Sequence, residues 1–354
     1  MSIQKKPYLV LPLFIEQPTW GGEYICKEKG WLHKQGLEGK KIGQSYELYS
    51  KSCLATTITS SDDSLFSPEV RDTIPVSVFA GDKPFPLVKF TQAKGNSFQL
   101  HVKPGVNDPF WHSKAESWYY LEDGKMTFGI KKGADMNAYK ETCFSIDNTM
   151  KKLSEMIIQN KLTRERAGQE AILCVQENNP WQYVNIHEVK KGDIVDLSGG
   201  GLHHSWEEDK MRFPLGNIVF EVQQDEMDPI STIRSFDQGK FLENGTVRKI
   251  QIDTYFKYLD MNEQRNTLKM QQKNNTVLFN TPYYSLKKLE IEKKMEMKTE
   301  MSFHHLFVKE GVVSIRSENG EIYATQGHSC FIPQGIIYTI EASVKSELLQ
   351  TSIE

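Results

Sequence analysis

The sequence predicts a mainly β protein of two barrels, with a helical insertion in the first half. Three observations carry that expectation. Short apolar or alternating runs punctuated by Gly, Pro and Asp extend from Tyr8 to about Phe128. Helical spacing replaces them between about Ala134 and Asn179, and one strand pattern then occurs twice along the chain.

The runs Phe85 to Phe90 and Ser117 to Leu121 read as strands. Between Trp118-Tyr119-Tyr120-Leu121 and Met126-Thr127-Phe128 stands Glu122-Asp123-Gly124-Lys125, whose Asp-Gly pair predicts a tight hairpin turn. In the insertion, about 134–180, Met150, Leu153, Met156 and Ile157 recur at helical spacing, and Ala167 to Val175 is a second helix candidate. Strands return at Val184 to Leu197 and at Ile218 to Val222. The polar stretch Gln264 to Asn275 reads as a linker, followed by strands at Phe303 to Val308, Val312 to Ile315 and Ser329 to Ile332. The expected division is therefore 1–262 and 263–354.

The repeat is visible in its glycines. Gly192 to His203 and Gly327 to Tyr338 have the same spacing. Upstream, Glu116-Ser117-Trp118-Tyr119-Tyr120 precedes Gly124 much as Phe303-His304-His305-Leu306-Phe307 precedes Gly311. Counted back from those glycines, Glu116 aligns with Phe303, and His203 aligns with Tyr338. The scaffold recurs where the carboxylate and imidazole do not, so a site is the better reason for Glu116 and His203 than the fold itself.

Composition narrows the function. Lys and Arg number 43 against 46 Asp and Glu, a net charge of −3 that gives no general electrostatic reason to bind nucleic acid or an anionic membrane. The five cysteines are scattered and contain no Cys-x-x-Cys pair, which argues against a disulfide framework and for a reducing cytoplasm. Pro12 and Glu16 interrupt the first apolar run before it reaches the length of a signal peptide or membrane span.

Residues two apart on a strand share a face, so Gln99 and His101 point together. With Glu116 and His203 on later strands they make a plausible set for one Zn²⁺, leaving room for water or substrate. Neighbouring His112 and His204 are expected to point away, and His304-His305, in the repeat without ligands, is read as structural. The spacing resembles the cupin barrel, in which a His-x-His strand and a later Glu face a final His; two such barrels make a bicupin of jelly-roll halves.

Longer segments resemble the type I, zinc-dependent mannose-6-phosphate isomerases. Trp20-Gly21-Gly22 and Gly43-Gln44-Ser45-Tyr46-Glu47 are similar to two of that family's N-terminal segments. Leu87-Val88-Lys89-Phe90 looks like its strand entering the site. Ser97-Phe98-Gln99-Leu100-His101 matches its Ser-x-Gln-x-His, and Lys114-Ala115-Glu116-Ser117-Trp118-Tyr119 is close to its Lys-Thr-Glu-Cys-Trp-Tyr. Glu221-Val222-Gln223-Gln224 and Ile233-Arg234-Ser235-Phe236-Asp237 resemble two later motifs. The resemblance implies Gln99, His101, Glu116 and His203 as ligands of one Zn²⁺, Arg234 and Lys114 as catalytic groups, and Ser97 and Lys89 as substrate contacts. It implies interconversion of mannose 6-phosphate and fructose 6-phosphate through an enediolate.

The chain also departs from the family. Val102-Lys103-Pro104-Gly105 replaces a proline and acidic pair expected close to substrate. Ser198 replaces a proline, Gln238-Gly239 replaces Asp-Arg, and the next motif becomes Arg248-Lys249-Ile250-Gln251. Two other functions fit the ligand pattern: a cupin oxygenase holding Fe²⁺, and a non-catalytic sugar-phosphate binder. A small sugar phosphate is the expected partner in the isomerase and binder readings.

Overall fold

The computed structural model describes residues 3–18, 20–32, 36–56, 72–81, 84–95, 97–205, 211–226, 228–237, 240–268, 270 and 276–353. The Gln238-Gly239 departure and the end of the expected linker lie outside them. Among the described residues the strands form four sheets, two to each barrel, in agreement with the expected bicupin. In the first barrel, a six-stranded sheet runs in the order Ile194–Asp196, Glu116–Tyr120, Asn217–Gln224, Pro86–Ala93, Ile42–Leu48, Leu13–Glu16. It faces a five-stranded sheet of Val184–Val189, Gly124–Ile130, Gly201–Ser205, Phe98–His101 and Ile233–Phe236.

The second barrel pairs a four-stranded sheet with an eight-stranded one, and the latter draws on both ends of the chain. Tyr8–Leu11 lies between Ser329–Ile332 and Cys53–Ala55, antiparallel to both. The repeat extends through the pairing pattern. Glu116–Tyr120 lies between Ile194–Asp196 and Asn217–Gln224, just as His304–Glu310 lies between Ser329–Ile332 and Ser346–Ser352.

The insertion is two helices, Met136–Ile158 and Arg164–Asn178. Asp135 caps the first by accepting from the amides of Asn137 and Ala138, and Thr163 caps the second by accepting from that of Arg166. Tyr139, Cys143, Ile146, Met150 and Leu153 bury one face of the first helix, and Ala167, Ala171 and Val175 one face of the second. Small residues on the shorter helix let the pair approach closely. The buried stripes join the outer face of the five-stranded sheet through Phe98, Leu100, Leu202, Ile233 and Phe236.

The expected Asp-Gly hairpin is not formed. Glu116–Tyr120 and Gly124–Ile130 are consecutive but belong to opposite sheets, so the turn crosses the barrel instead of pairing its flanks. Asp123 accepts from Lys190 Nζ and the Lys191 amide, and Gly124 is not in the left-handed region. Its missing side chain has another cause, since a Cβ there would meet Asn217 Oδ1, which caps the turn by accepting from the Lys125 amide.

One buried ion pair joins the halves. Lys29 Nζ lies 2.8 Å from Glu47 Oε1 and donates to the Gly327 carbonyl at 2.6 Å, while Ser329 Oγ donates to Glu47 Oε2 at 2.8 Å. Both charged side chains are fully buried, with the ammonium 4.7 Å from the Trp31 ring centroid. Truncating one member leaves the other charge without its counter-ion, so Lys29→Met should lower the unfolding free energy by about 3–5 kcal/mol in denaturant titration. Lys29→Met combined with Glu47→Leu should recover part of that loss, and no recovery would show that the pair acts only through packing. His305, buried nearby, is pushed down to about 3 by burial. It stays neutral in the folded state while the unfolded chain takes up a proton below pH about 6.5, so stability falls as pH falls through this window. The stability difference between the native chain and His305→Gln should therefore shift against the native chain by about 2 kcal/mol between pH 7 and pH 5.

Candidate functional site

Register places the functional side chains in rows. Across the six-stranded sheet, Tyr46 is opposite Lys89, Lys89 opposite Glu221, and Glu221 opposite Trp118. One row along, Gln223 is opposite Glu116. In the facing sheet, Gln99 stands between Arg234 and His203. Period-two alternation turns all these side chains toward the barrel interior, so the two sheets bring their polar rows face to face.

His101, Glu116 and His203 form the only cluster of three or more potential metal-binding His, Cys, Asp or Glu side chains among the described residues, with donor atoms within 4.8 Å of one another. Their hydrogen bonds decide which atoms face inward. His101 Nδ1 donates to the Ser231 carbonyl at 2.7 Å, and His203 Nδ1 to the Gly201 carbonyl at 3.2 Å. In a neutral imidazole that leaves both Nε2 lone pairs directed at Glu116, at 3.2 and 3.8 Å from its oxygens. Burial pushes His101 down and His203 down to about 3, so both are neutral imidazoles at physiological pH. Facing lone pairs and a carboxylate in a buried site repel unless a cation lies among them, and two imidazoles with a carboxylate suit a borderline divalent ion.

Gln99 Nε2 is 2.9 Å from His203 Nε2. Exchange of its amide atoms would present oxygen to the same point, and the two orientations are distinguished only by the surrounding hydrogen bonds. Gly200 allows the close approach of the last ligand strand: its φ is +71°, and a Cβ there would lie 2.8 Å from the His101 carbonyl oxygen.

A cavity of about 950 Å³ opens onto this cluster through Gln99 and Glu116. Its walls are charged and internally compensated. Lys114 Nζ is 3.2 Å from Glu116 Oε2 and donates to Gln223 Oε1 at 3.2 Å; Lys89 Nζ is 2.6 Å from Glu221 Oε1. Arg234 Nε donates to Ser97 Oγ at 2.8 Å, and its Nη2 is 2.6 Å from Asp228 Oδ2. Burial opposes ionisation of Glu116, yet the Lys114 ammonium beside it leads in holding its carboxyl well below the usual range. Burial and the Glu116 charge push Glu221 up to about 7 against the pull of Lys89. Burial works against the Lys89 ammonium, but Glu221 and Glu116 raise its pKa above the ordinary lysine value.

All eight residues singled out in the sequence are thus brought to one place. Gln99, Glu116, Lys89, Lys114, Ser97 and Arg234 line the cavity, and His101 and His203 lie buried against Gln99 and Glu116. His204 turns to the opposite face, its ring 4.4 Å from that of Phe98, and His112 is exposed on a loop. The segment Val102 to Gly105, expected close to substrate, and the loop that continues it to His112 are absent from the cavity wall. They are clamped outward instead, by Lys103 on Asp260 and by the Tyr258 hydroxyl on Asp108. Glu221 and Gln223 were readable only as part of a motif. The signal of their role is two polar residues at period two, after the apolar run Ile218-Val219-Phe220, in a strand buried along seven of its eight residues.

Pairing also corrects the repeat by one residue. Val195 is opposite Trp118 and its counterpart Cys330 is opposite Leu306, which aligns Glu116 with His304 and not Phe303. Beyond these pairs the second copy is one residue shorter, since Glu116 stands eight residues before Gly124 and His304 seven before Gly311. Gln99 then corresponds to Met297, which pairs with Tyr338 as Gln99 pairs with His203. The Tyr338 hydroxyl lies 2.7 Å from His304 Nδ1 and 3.3 Å from Met297 Sδ.

The fold and cluster define a two-barrel cupin with a candidate metal centre in the first barrel. The likeness to the mannose-6-phosphate isomerase family read from the sequence is borne out: residues 274–346 match the mannose-6-phosphate isomerase cupin domain. The whole chain has the fold of solved structures so named. The mannose 6-phosphate isomerase of Bacillus subtilis is 18% identical, with a TM-score of 0.66 over 99% of this chain and 100% of that one. A putative mannosephosphate isomerase from Archaeoglobus fulgidus is 15% identical, with a TM-score of 0.62 over 100% of this chain and 99% of that one. A zinc-bound mannose 6-phosphate isomerase is 12% identical, with a TM-score of 0.61 over 98% and 99%. No curated protein matches by sequence. No helix among the described residues is long and apolar enough to cross a membrane.

Proposed function

We propose that the chain is an aldose–ketose isomerase acting on a sugar phosphate, interconverting mannose 6-phosphate and fructose 6-phosphate, with one Zn²⁺ held by Gln99, His101, Glu116 and His203. The observation that carries this reading is the convergence of two neutral imidazoles and Glu116 at a cavity whose adjacent wall holds the Lys89–Glu221 pair. The fold likeness to named mannose 6-phosphate isomerases supports it.

Isomerisation requires a proton to leave the carbon beside a carbonyl and return to the neighbouring carbon, with negative charge developing on the oxygens between. A divalent metal in the cluster supplies Lewis-acid stabilisation of that charge. Arg234, opposite Gln99 in the register and fixed by Ser97 and Asp228, adds a positioned cation on the same side. Glu221 suits carbon-proton transfer, because a carboxyl raised to about 7 is a stronger base than an ordinary glutamate yet is not fully protonated at neutral pH. Lys114, between Glu116 and Gln223, is placed to move a proton at a substrate oxygen, and Lys89 to orient Glu221 and donate to a hydroxyl. Ser97 acts by holding Arg234.

Two outcomes test this. Zn²⁺ added to metal-free protein should raise the unfolding free energy by about 4 kcal/mol when free metal is roughly a thousandfold above Kd, and Glu116→Gln should lose most of that gain. Equal metal content and stabilisation in the variant would remove the cluster from the proposal. Isomerisation of mannose 6-phosphate should be abolished by chelator and restored by Zn²⁺. Metal-loaded protein inert on a panel of aldose phosphates would instead favour a binding protein, and iron with substrate-dependent oxygen uptake an oxygenase.

A further inference from the structure

The helical insertion contributes a wall to the cavity that the ligand motifs do not mention. Arg164, Gly168 and Ile172 all line it, and their spacing of four places them along one face of the Arg164–Asn178 helix. The packing face, Ala167, Ala171 and Val175, is a separate stripe. Gly168 is anomalous on grounds of helix stability, because a glycine in a helix interior costs about 1 kcal/mol relative to alanine. Packing does not demand it: a Cβ built there meets no heavy atom within 4 Å. It opens the cavity where any other residue would narrow it.

Charge distinguishes Arg164 from the other cations lining the cavity. Lys89 is paired with Glu221, Lys114 with Glu116, Arg234 with Asp228, and Arg248 with Asp237 at 3.5 Å; Lys240 Nζ donates to the Gly95 carbonyl. Arg164, exposed at the start of the helix, has neither an ion pair nor a side-chain hydrogen bond among the described residues. A phosphate entering the cavity meets compensated charge around the metal cluster and an uncommitted guanidinium on the helix.

We propose that this helix face reads the phosphate end of the substrate, with Arg164 donating to the phosphate oxygens and Gly168 leaving the space in which the adjoining carbons lie. The assignment rests on the sugar-phosphate reading above and names where the phosphate is held. A sugar bound by its carbonyl end at the metal cluster carries its terminal phosphate away from it, toward the outer wall.

Arg164→Ala should raise KM for the sugar phosphate about tenfold or more, the scale of one lost charge-assisted hydrogen bond, with kcat changed less than about twofold. The inhibition constant of inorganic phosphate should rise with it, while turnover of the unphosphorylated sugar stays at its native level. Gly168→Leu supplies a second arm in which misfolding is not the explanation, since leucine favours the helix: its melting temperature should equal or exceed the native value while KM rises about tenfold. Native KM and native phosphate inhibition in both variants would overturn the assignment and leave the isomerase reading intact. If the native chain isomerises no aldose phosphate, calorimetry with inorganic phosphate still decides: equal affinity in the native chain and Arg164→Ala refutes the phosphate contact by itself.

Discussion

The first barrel holds Lys89, Lys114, Glu116 and Glu221 in its interior, and the rest of the site follows from the need to compensate them there. Removing an ion from water costs several kcal/mol even after relaxation, so each charge must find its partner inside the barrel. Lys89 and Glu221 are register partners, as are Glu116 and Gln223, the residue that holds Lys114. A slip of one residue in any of these strands would send a charge into the apolar layer behind the sheet. The same polar side chains that make chemistry possible therefore also fix the register. Glu116 sits at the junction, with Lys114 on one oxygen and the Trp118 indole on the other.

The second barrel shows what the scaffold looks like without that demand. At the positions of Gln99, Glu116 and His203 it carries Met297, His304 and Tyr338, which satisfy one another. A thioether, one imidazole and a phenol leave no excess of inward lone pairs, whereas two imidazoles and a carboxylate do. The barrel does structural work instead. Its large sheet takes in Tyr8–Leu11 and Cys53–Ala55, and its turn at Gly327 receives Lys29. The first barrel's polar interior is thus supported by an apolar neighbour bonded to it through backbone ladders and one buried ion pair.

How much of this was legible depended on the range of each interaction. Period-two spacing sufficed to put Gln99 and His101 on one face, and helical spacing located the insertion, because both are local. The hairpin failed since Asp-Gly specifies a turn without specifying which sheet the next strand joins, and the requirement at Gly124 came from Asn217, far along the chain. The repeat was found from glycines but misaligned at Glu116, because the second copy is one residue shorter before its glycine and only the strand pairing shows where the residue is lost. The Lys89–Glu221 pair, the Ser231 and Gly201 carbonyls that set the tautomers, and the cavity face of the insertion all depend on tertiary register. None has a signature in neighbouring residues.

The departures from the isomerase pattern acquire a physical meaning from their positions. Val102 to Gly105 follows a metal-ligand candidate directly, which made it look like a substrate contact. The loop is instead tied to the end of the Ile252–Tyr258 helix through Asp108 and Asp260, and the backbone of Gln251, just before that helix, bonds that of Arg234. A change there can reach the site through the placement of Arg234 and of the strand carrying His101, without touching what occupies the cavity. Arg248 and the insertion helix do line it. Under the isomerase reading proposed above, differences in sugar preference should accordingly arise on those outer walls, while the buried rows of the two sheets, constrained by charge and register together, would carry the proton transfer.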